Sequence, residues 1–141
     1  MTRIDFHTNV PDKIAYACRL VRKAYLARNQ VVLMTQDAAQ CALLDQALWT
    51  FSAPDFLPHV PAGTTLATQT PIVLTDDDGE PVPHFDILVN LSDRTPAGFS
   101  HFKRLFEIIS QDPQDAAAGR KRYVHYKQEN YQPDHFIAGK T

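Results

Sequence analysis

The sequence lacks any apolar run approaching the roughly 18 residues of a membrane span, which argues against a transmembrane protein. Cysteine is scarce. Cys18 and Cys41 are the only two and have no CxxC spacing, so neither a disulfide framework nor a four-thiolate zinc site is available. The opening MTRIDFHTNV has no apolar core and no small-residue cleavage site, so no secretory signal is expected. Lysine and arginine are missing from the whole stretch between Arg28 and Arg94. The six histidines form no HExxH or HxxxH pair, and there is no GxSxG elbow.

What is present fits one globular domain. The chain has 141 residues, 44% of them apolar and 21% charged, enough to bury a single core and too apolar to be disordered throughout. The expectation is one soluble, cytoplasmic domain over 1–141. The charge is unevenly spread. Residues 29–93 carry nine acids and no base, whereas the two ends hold all 14 bases against seven acids. Such a chain does not grip long nucleic acid over most of its surface, but one local basic face remains compatible with it.

Apolar periodicity predicts alternating strands and helices. TRIDFH, residues 2–7, alternates as a strand, and 9–28 reads as a helix capped by Asn9, with Ile14, Cys18, Val21 and Tyr25 on its inner stripe. QVVLM, 30–34, reads as a doubly buried strand, followed by a helix from the Thr35 cap to Trp49. Residues 50–63 read as proline-rich and irregular, and 71–75 and 85–91 as strands, with 76–83 a solvated loop. Thr95–Pro96 is expected to open a helix bearing Phe99, Phe102, Leu105, Phe106 and Ile109. Asp112–Pro113 opens a last helix to near Glu129, with Gly119 as its weak point, and 132–141 is a loop. Strands separated by helices imply a three-layer α/β/α domain around a mostly parallel sheet, Rossmann-like in architecture.

Such a scaffold often binds nucleotides, but the first strand–helix loop, HTNVPD, has no glycine to let the backbone approach a phosphate. Asp12 would also repel an anion there. No phosphate-binding loop, cofactor site or metal site is expected, and no catalytic constellation emerges. His84 and Asp86 lie two apart and read as a strand-entry pair facing water, while Cys18 and Cys41 read as small buried hydrophobes.

Two segments stand out. LDQALWTFSAPDFLPH, 44–59, ends an amphipathic helix at Trp49 and leads into a loop bearing Phe51, Phe56 and Leu57. These aromatics either close the core or form an exposed patch for a partner. RKRYVHYKQENY, 120–131, places Arg120, Tyr123 and Lys127 on one helical face, flanked by Tyr126 and Arg122. Arginine, lysine and tyrosine together suit an acidic peptide with an apolar end, or stacked bases and phosphates, or an ordinary solvated helix.

The combination resembles the chi subunit of bacterial DNA polymerase III. The residues that carry the resemblance are Leu44, Asp45, Ala47, Leu48, Trp49, Phe56, Pro58 and His59, together with RKRYVHYK near the C-terminus. It implies a non-catalytic clamp-loader accessory protein acting at replication forks and touching DNA only indirectly. The implied partners are the psi subunit and the acidic, phenylalanine-ended C-terminal tail of single-stranded-DNA-binding protein. By motif, Arg120, Tyr123 and Arg122 match the tail contacts. Phe56, beside Trp49, matches the contact for psi or a competing helicase. Ala116 stands where the family often has lysine, which shifts the expected grip toward Lys121 or Lys127. Asn130–Tyr131 replaces the family's glycine–phenylalanine. The rival readings are a direct single-stranded-DNA-binding module and a small α/β enzyme with an atypical site.

Overall fold

A computed structural model describes residues 1–50, 57–64, 66, 67 and 70–139. In chain order the elements are β1 (Arg3–Val10), α1 (Lys13–Leu26), β2 (Val31–Met34), α2 (Ala38–Thr50), β3 (His59–Pro61), β4 (Ile72–Thr75) and β5 (Ile87–Asn90). A 3-10 turn, Phe99–His101, then leads into β6 (Arg104–Ser110), α3 (Pro113–Gln128) and β7 (Asp134–Ile137). The seven strands form one sheet in the order β3-β4-β2-β5-β6-β1-β7, and every neighbouring pair is parallel.

The pleat sorts the core into two halves. Val31, Leu33, Ile87, Val89, Phe106 and Ile108 point toward α1 and α2, where Ala17, Cys18, Val21, Leu44 and Leu48 meet them. Ile4, Phe6, Val32, Met34, Leu88, Leu105 and Ile109 point to the other face, which Tyr126 of α3 and Phe102 beyond the 3-10 turn cover. The three expected layers are therefore present, and a sheet buried on both faces explains the continuous apolar strands.

Local chemistry fixes the helix starts. Asp12, not Asn9, caps α1: its carboxylate accepts from the Ala15 amide at 3.1 Å. Asn9 instead adopts φ 59° where the β1–β6 register shifts between His7 and Val10, a conformation that asparagine tolerates better than most residues. Asp37 caps α2 by accepting from the Gln40 amide at 2.8 Å, so that helix begins after Thr35. Asp112 caps α3 through the Asp115 amide, with Pro113 opening the helix as expected. Such a cap contributes about 1 kcal/mol.

Four further expectations are corrected. His59–Pro61, within the stretch read as irregular, form β3. Residues 96–110 are not a helix: only the 3-10 turn is helical, and Leu105–Ile109 lie in β6, buried on both faces of the sheet. The tail is not all loop, because β7 pairs with β1. Gly119 is not merely a weak point. A Cβ there would lie 2.7 Å from Ile109 Cδ1, so the missing side chain lets α3 settle directly on β6.

Candidate protein-interaction site

The exposed ridge of α3 separates two depressions. The larger, a groove of ≈ 720 Å³, runs between α3 and the β1–β7 end of the sheet. Phe6, Ile109, Ala116, Gly119 and Tyr123 give it an apolar floor, and Arg120 and His135 add polarity. None of its lining residues is acidic. Tyr123 is half-buried and meets Phe6 edge-on, with ring centroids 5.2 Å apart. Arg120 is exposed and makes no ion pair among the described residues. Lys127 approaches from the solvent side, its Nζ 5.7 Å from the centre of the Tyr123 ring. The second depression, ≈ 570 Å³, lies on the opposite flank of the helix, where Lys121, His125 and Gln114 face Asp93 and Thr95.

The sequence-based candidates on α3 therefore divide. Arg120 and Tyr123 meet in the larger groove, Lys127 stands beside it, and Lys121 faces the other flank. Arg122 and Tyr126 do not flank an exposed face as expected: both are buried. Their partner is Glu107 on β6, which is fully buried. Glu107 accepts from Arg122 Nε at 3.2 Å, Tyr126 Oη at 2.5 Å and Asn90 Nδ2 at 2.9 Å. Arg122 Nη2 lies 3.1 Å from the same carboxylate. Burial pushes the Glu107 carboxyl upward, while Arg122 and the hydrogen bonds from Tyr126 and Asn90 oppose that shift. Burial and the neighbouring carboxylate push the Tyr126 hydroxyl far up, so it remains a donor. These two residues lock α3 to the sheet, and Arg122 also borders the second depression.

A second lock holds the start of α3. Lys13 of α1 donates to Leu91 O at 2.6 Å and to Asp115 Oδ2 at 3.0 Å, and the Ser110 amide donates to Asp115 at 2.7 Å. Burial raises the Asp115 carboxyl, but the Ser110 amide and Lys13 outweigh it and leave the group below its ordinary range.

At the far end of the sheet, Trp49 lies at the end of α2, 53% exposed, with its ring 4.6 Å from that of buried His59. His59 spans the α2–β3 connection. Nδ1 is 2.6 Å from Leu57 O, and Nε2 is 3.2 Å from Asp45 O. The Leu–Asp, Trp and Pro–His parts of the motif thus converge: Asp45 and His59 fix the connection on which the indole rests. Phe56 and Phe51 lie outside the described residues.

His84 and Asp86 do not form a polar pair. Both precede β5, His84 is buried against Thr70 O, and Asp86 accepts from the Gln30 amide at 3.1 Å. Burial pushes the Cys18 thiol up to about 11 and also raises Cys41; Cys18 is the small buried hydrophobe expected, whereas Cys41 is only partly buried. No helix among the described residues is long and apolar enough to cross a membrane.

The all-parallel sheet carries, beside the basic residues of α3, an apolar groove with no acidic lining residue among the described residues. Comparison with known proteins is specific. The family described as DNA polymerase III chi subunit, HolC, matches residues 1–134, and the chain belongs to that family. The DNA polymerase III subunit chi of Pseudomonas aeruginosa is 32% identical over 136 residues, covering 93% of each chain. That of Haemophilus influenzae is 27% identical over 108 residues, covering 76% of this chain and 74% of the relative. The Escherichia coli subunit is 23% identical over 110 residues, covering 78% of this chain and 75% of the relative. The chain is thus a DNA-replication protein of the polymerase III assembly.

Proposed function

We propose that this chain is a non-catalytic adaptor joining the clamp loader to single-stranded-DNA-binding protein at replication forks. Its α3 groove takes the acidic, phenylalanine-ended tail of that protein. The observation that carries this reading is the combination, among the described residues, of an apolar floor, an Arg120 without an ion pair and no acidic lining residue. A terminal phenylalanine ring would rest against Phe6, Ile109 and Tyr123, and the tail carboxylates would meet Arg120, with Lys127 and Lys121 adding long-range attraction. The psi subunit, or a helicase competing with it, would bind the surface around Trp49, with Phe56 as the further candidate contact from the sequence motif. Exposure of the Trp49 indole at the end of α2 supports that assignment. A weak tail contact becomes effective because the psi contact raises its local concentration.

The test is a titration with the tail peptide, the peptide lacking its last phenylalanine, and a short single-stranded oligonucleotide. The intact peptide should bind best. Arg120→Ala should weaken it by about 1.5–3 kcal/mol if a charged hydrogen bond is made. Salt should weaken the complex without abolishing it. Tighter binding of the oligonucleotide, or equal binding of the truncated peptide, would replace this reading with direct DNA binding.

A further inference from the structure

The sheet face that carries α3 is covered in two different ways. α3 itself packs on β6 and β1. Over β2 and β5 the same face is roofed by residues from 75–85 and 96–102. Beneath that roof lies a cavity of ≈ 170 Å³. Val32 and Met34 of β2, Leu88 of β5 and Phe102 give it an apolar floor, because the pleat turns every second strand residue to this side. The roof is fastened across its middle, where Asp78 accepts from the Ala97 amide at 2.8 Å.

The rim carries formal charge of one sign. Asp77, Asp78 and Glu80 line the cavity, and no lysine or arginine does so among the described residues. One oxygen of each carboxylate is held inside the fold. Asp77 accepts from the Gly79 amide at 2.9 Å, Asp78 from Ala97, and Glu80 from the Thr75 hydroxyl at 2.9 Å. The second oxygen of each has no hydrogen bond or ion pair among the described residues. Arg94, close to the same loop, does not neutralise them through contact. Its guanidinium donates to the Gln36 and Asp76 carbonyls at 3.1 and 3.3 Å. His101, exposed, is the lining residue that can gain a positive charge. Phe85, 45% exposed, lines the cavity as well and meets Phe102 edge-on with centroids 5.2 Å apart.

The geometry points to a docking site for one arginine side chain, carried on a basic segment of a partner protein. Its methylenes lie on Met34, Leu88 and Phe102, and its guanidinium faces Asp77, Asp78 and Glu80. An apolar floor under a carboxylate rim calls for a long apolar stem with a cationic head. Arginine suits it better than lysine, because a rigid fork of five N–H donors matches several separate acceptors and its plane can stack on Phe85. Charge complementarity extends beyond the rim. Residues 29–93 carry nine acids and no base, so a basic segment is drawn to this side of the molecule before it docks. The site is separate from the α3 groove and calls for a ligand of opposite charge.

The test is an amide NMR titration of the full-length protein with acetyl-Gly-Ser-Arg-Ser-Gly-amide and with the same peptide carrying citrulline, which keeps the shape and loses the charge. The arginine peptide should give saturable shifts confined to the amides around Gly79, Glu80, Ala97 and Gly98. The citrulline peptide should bind at least about 5-fold more weakly. Asp77→Asn with Glu80→Gln retains an acceptor for the Gly79 amide and the Thr75 hydroxyl, so the loop keeps its shape. That double variant should lose about 5–10-fold for the arginine peptide, the scale of a lost charged hydrogen bond. Phe85→Ala should lose about 2–5-fold. Equal binding of the citrulline peptide, or an undiminished affinity in the double variant, would overturn the assignment. Unsaturated shifts spread along 29–93 would reduce it to long-range attraction without a seat. Tighter binding of spermidine than of the peptide would give the cavity to a small free cation instead of a partner protein.

Discussion

Two arginines two residues apart on α3 should behave as different chemical objects. Arg122 is 3% exposed and faces a carboxylate that is wholly buried. Replacing it by alanine removes the Nε bond at 3.2 Å and the Nη2 contact at 3.1 Å together. Glu107 would keep Asn90 and Tyr126 but lose its only charge partner among the described residues. Breaking such a pair from one side costs about 3–5 kcal/mol, because a buried charge is left uncompensated. Urea unfolding followed by circular dichroism should therefore show Arg122→Ala near the limit of folding, given that domains of this size have about 5–15 kcal/mol in total. Arg120→Ala, on the exposed side, should stay within about 0.5 kcal/mol of the unaltered protein. Removing both charges while keeping an acceptor for Tyr126 and Asn90, as in Arg122→Met with Glu107→Gln, should recover part of the loss. A loss below about 1 kcal/mol for Arg122→Ala, the scale of a surface ion pair, would refute the buried-lock account.

Gly119→Ala should destabilise the protein despite improving helix propensity. The new Cβ meets Ile109 Cδ1 at 2.7 Å, an overpacking that costs about 1–3 kcal/mol against a gain of about 1. Adding Ile109→Val, which deletes that methyl, should restore the helical gain, and a single alanine variant stabilised by about 1 kcal/mol would contradict the packing. His84 gives a pH prediction. Burial lowers its pKa below 6.5, so its contribution is intact above pH 6.5 and erodes as pH falls from there toward the folded-state pKa. Urea midpoints at pH 7.5 and 5.5 should converge in His84→Gln relative to the unaltered protein, with a one-proton slope of at most about 1.4 kcal/mol per pH unit; an unchanged difference would exclude His84 as the source.

Much of the fold was legible because most elements carry one-sided periodicity or clear caps. Cys18 and Val21 mark the inner stripe of α1, and the Asp112–Pro113 signal marks the start of α3. The stretch 96–110 misled because Phe99, Phe102, Leu105, Phe106 and Ile109 fit helical spacing. A strand covered on both faces has no competing period of two, and β6 is buried from Leu105 to Ile109. That one error propagated into the site. With Glu107 placed on a helix, nothing signalled a buried carboxylate that would draw Arg122 and Tyr126 inward. The spacing of Arg120 and Tyr123 does place both on one groove, as a shared helical face requires. His135 left no signal, since DHFI is four exposed residues whose strand character comes only from pairing with β1.

The placement of β1 between β6 and β7 also governs how the protein is made. Arg3 pairs with Arg104, and Asp5 with Asp134, so β1 has neighbours that are synthesised about 100 residues or more after it. At about 5–20 residues per second, translation delivers the first of those neighbours about 5–20 s later. Throughout that interval Ile4 and Phe6 lack the sheet that buries them, and both edges of the strand can pair with another chain. The parallel arrangement adds a long loop-closure search once synthesis ends. The β1 segment is thus the one most in need of chaperone cover during synthesis. A ribosome stalled before Asp134 would release a chain with one edge of β1 still open, a template for aggregation during replication-protein synthesis.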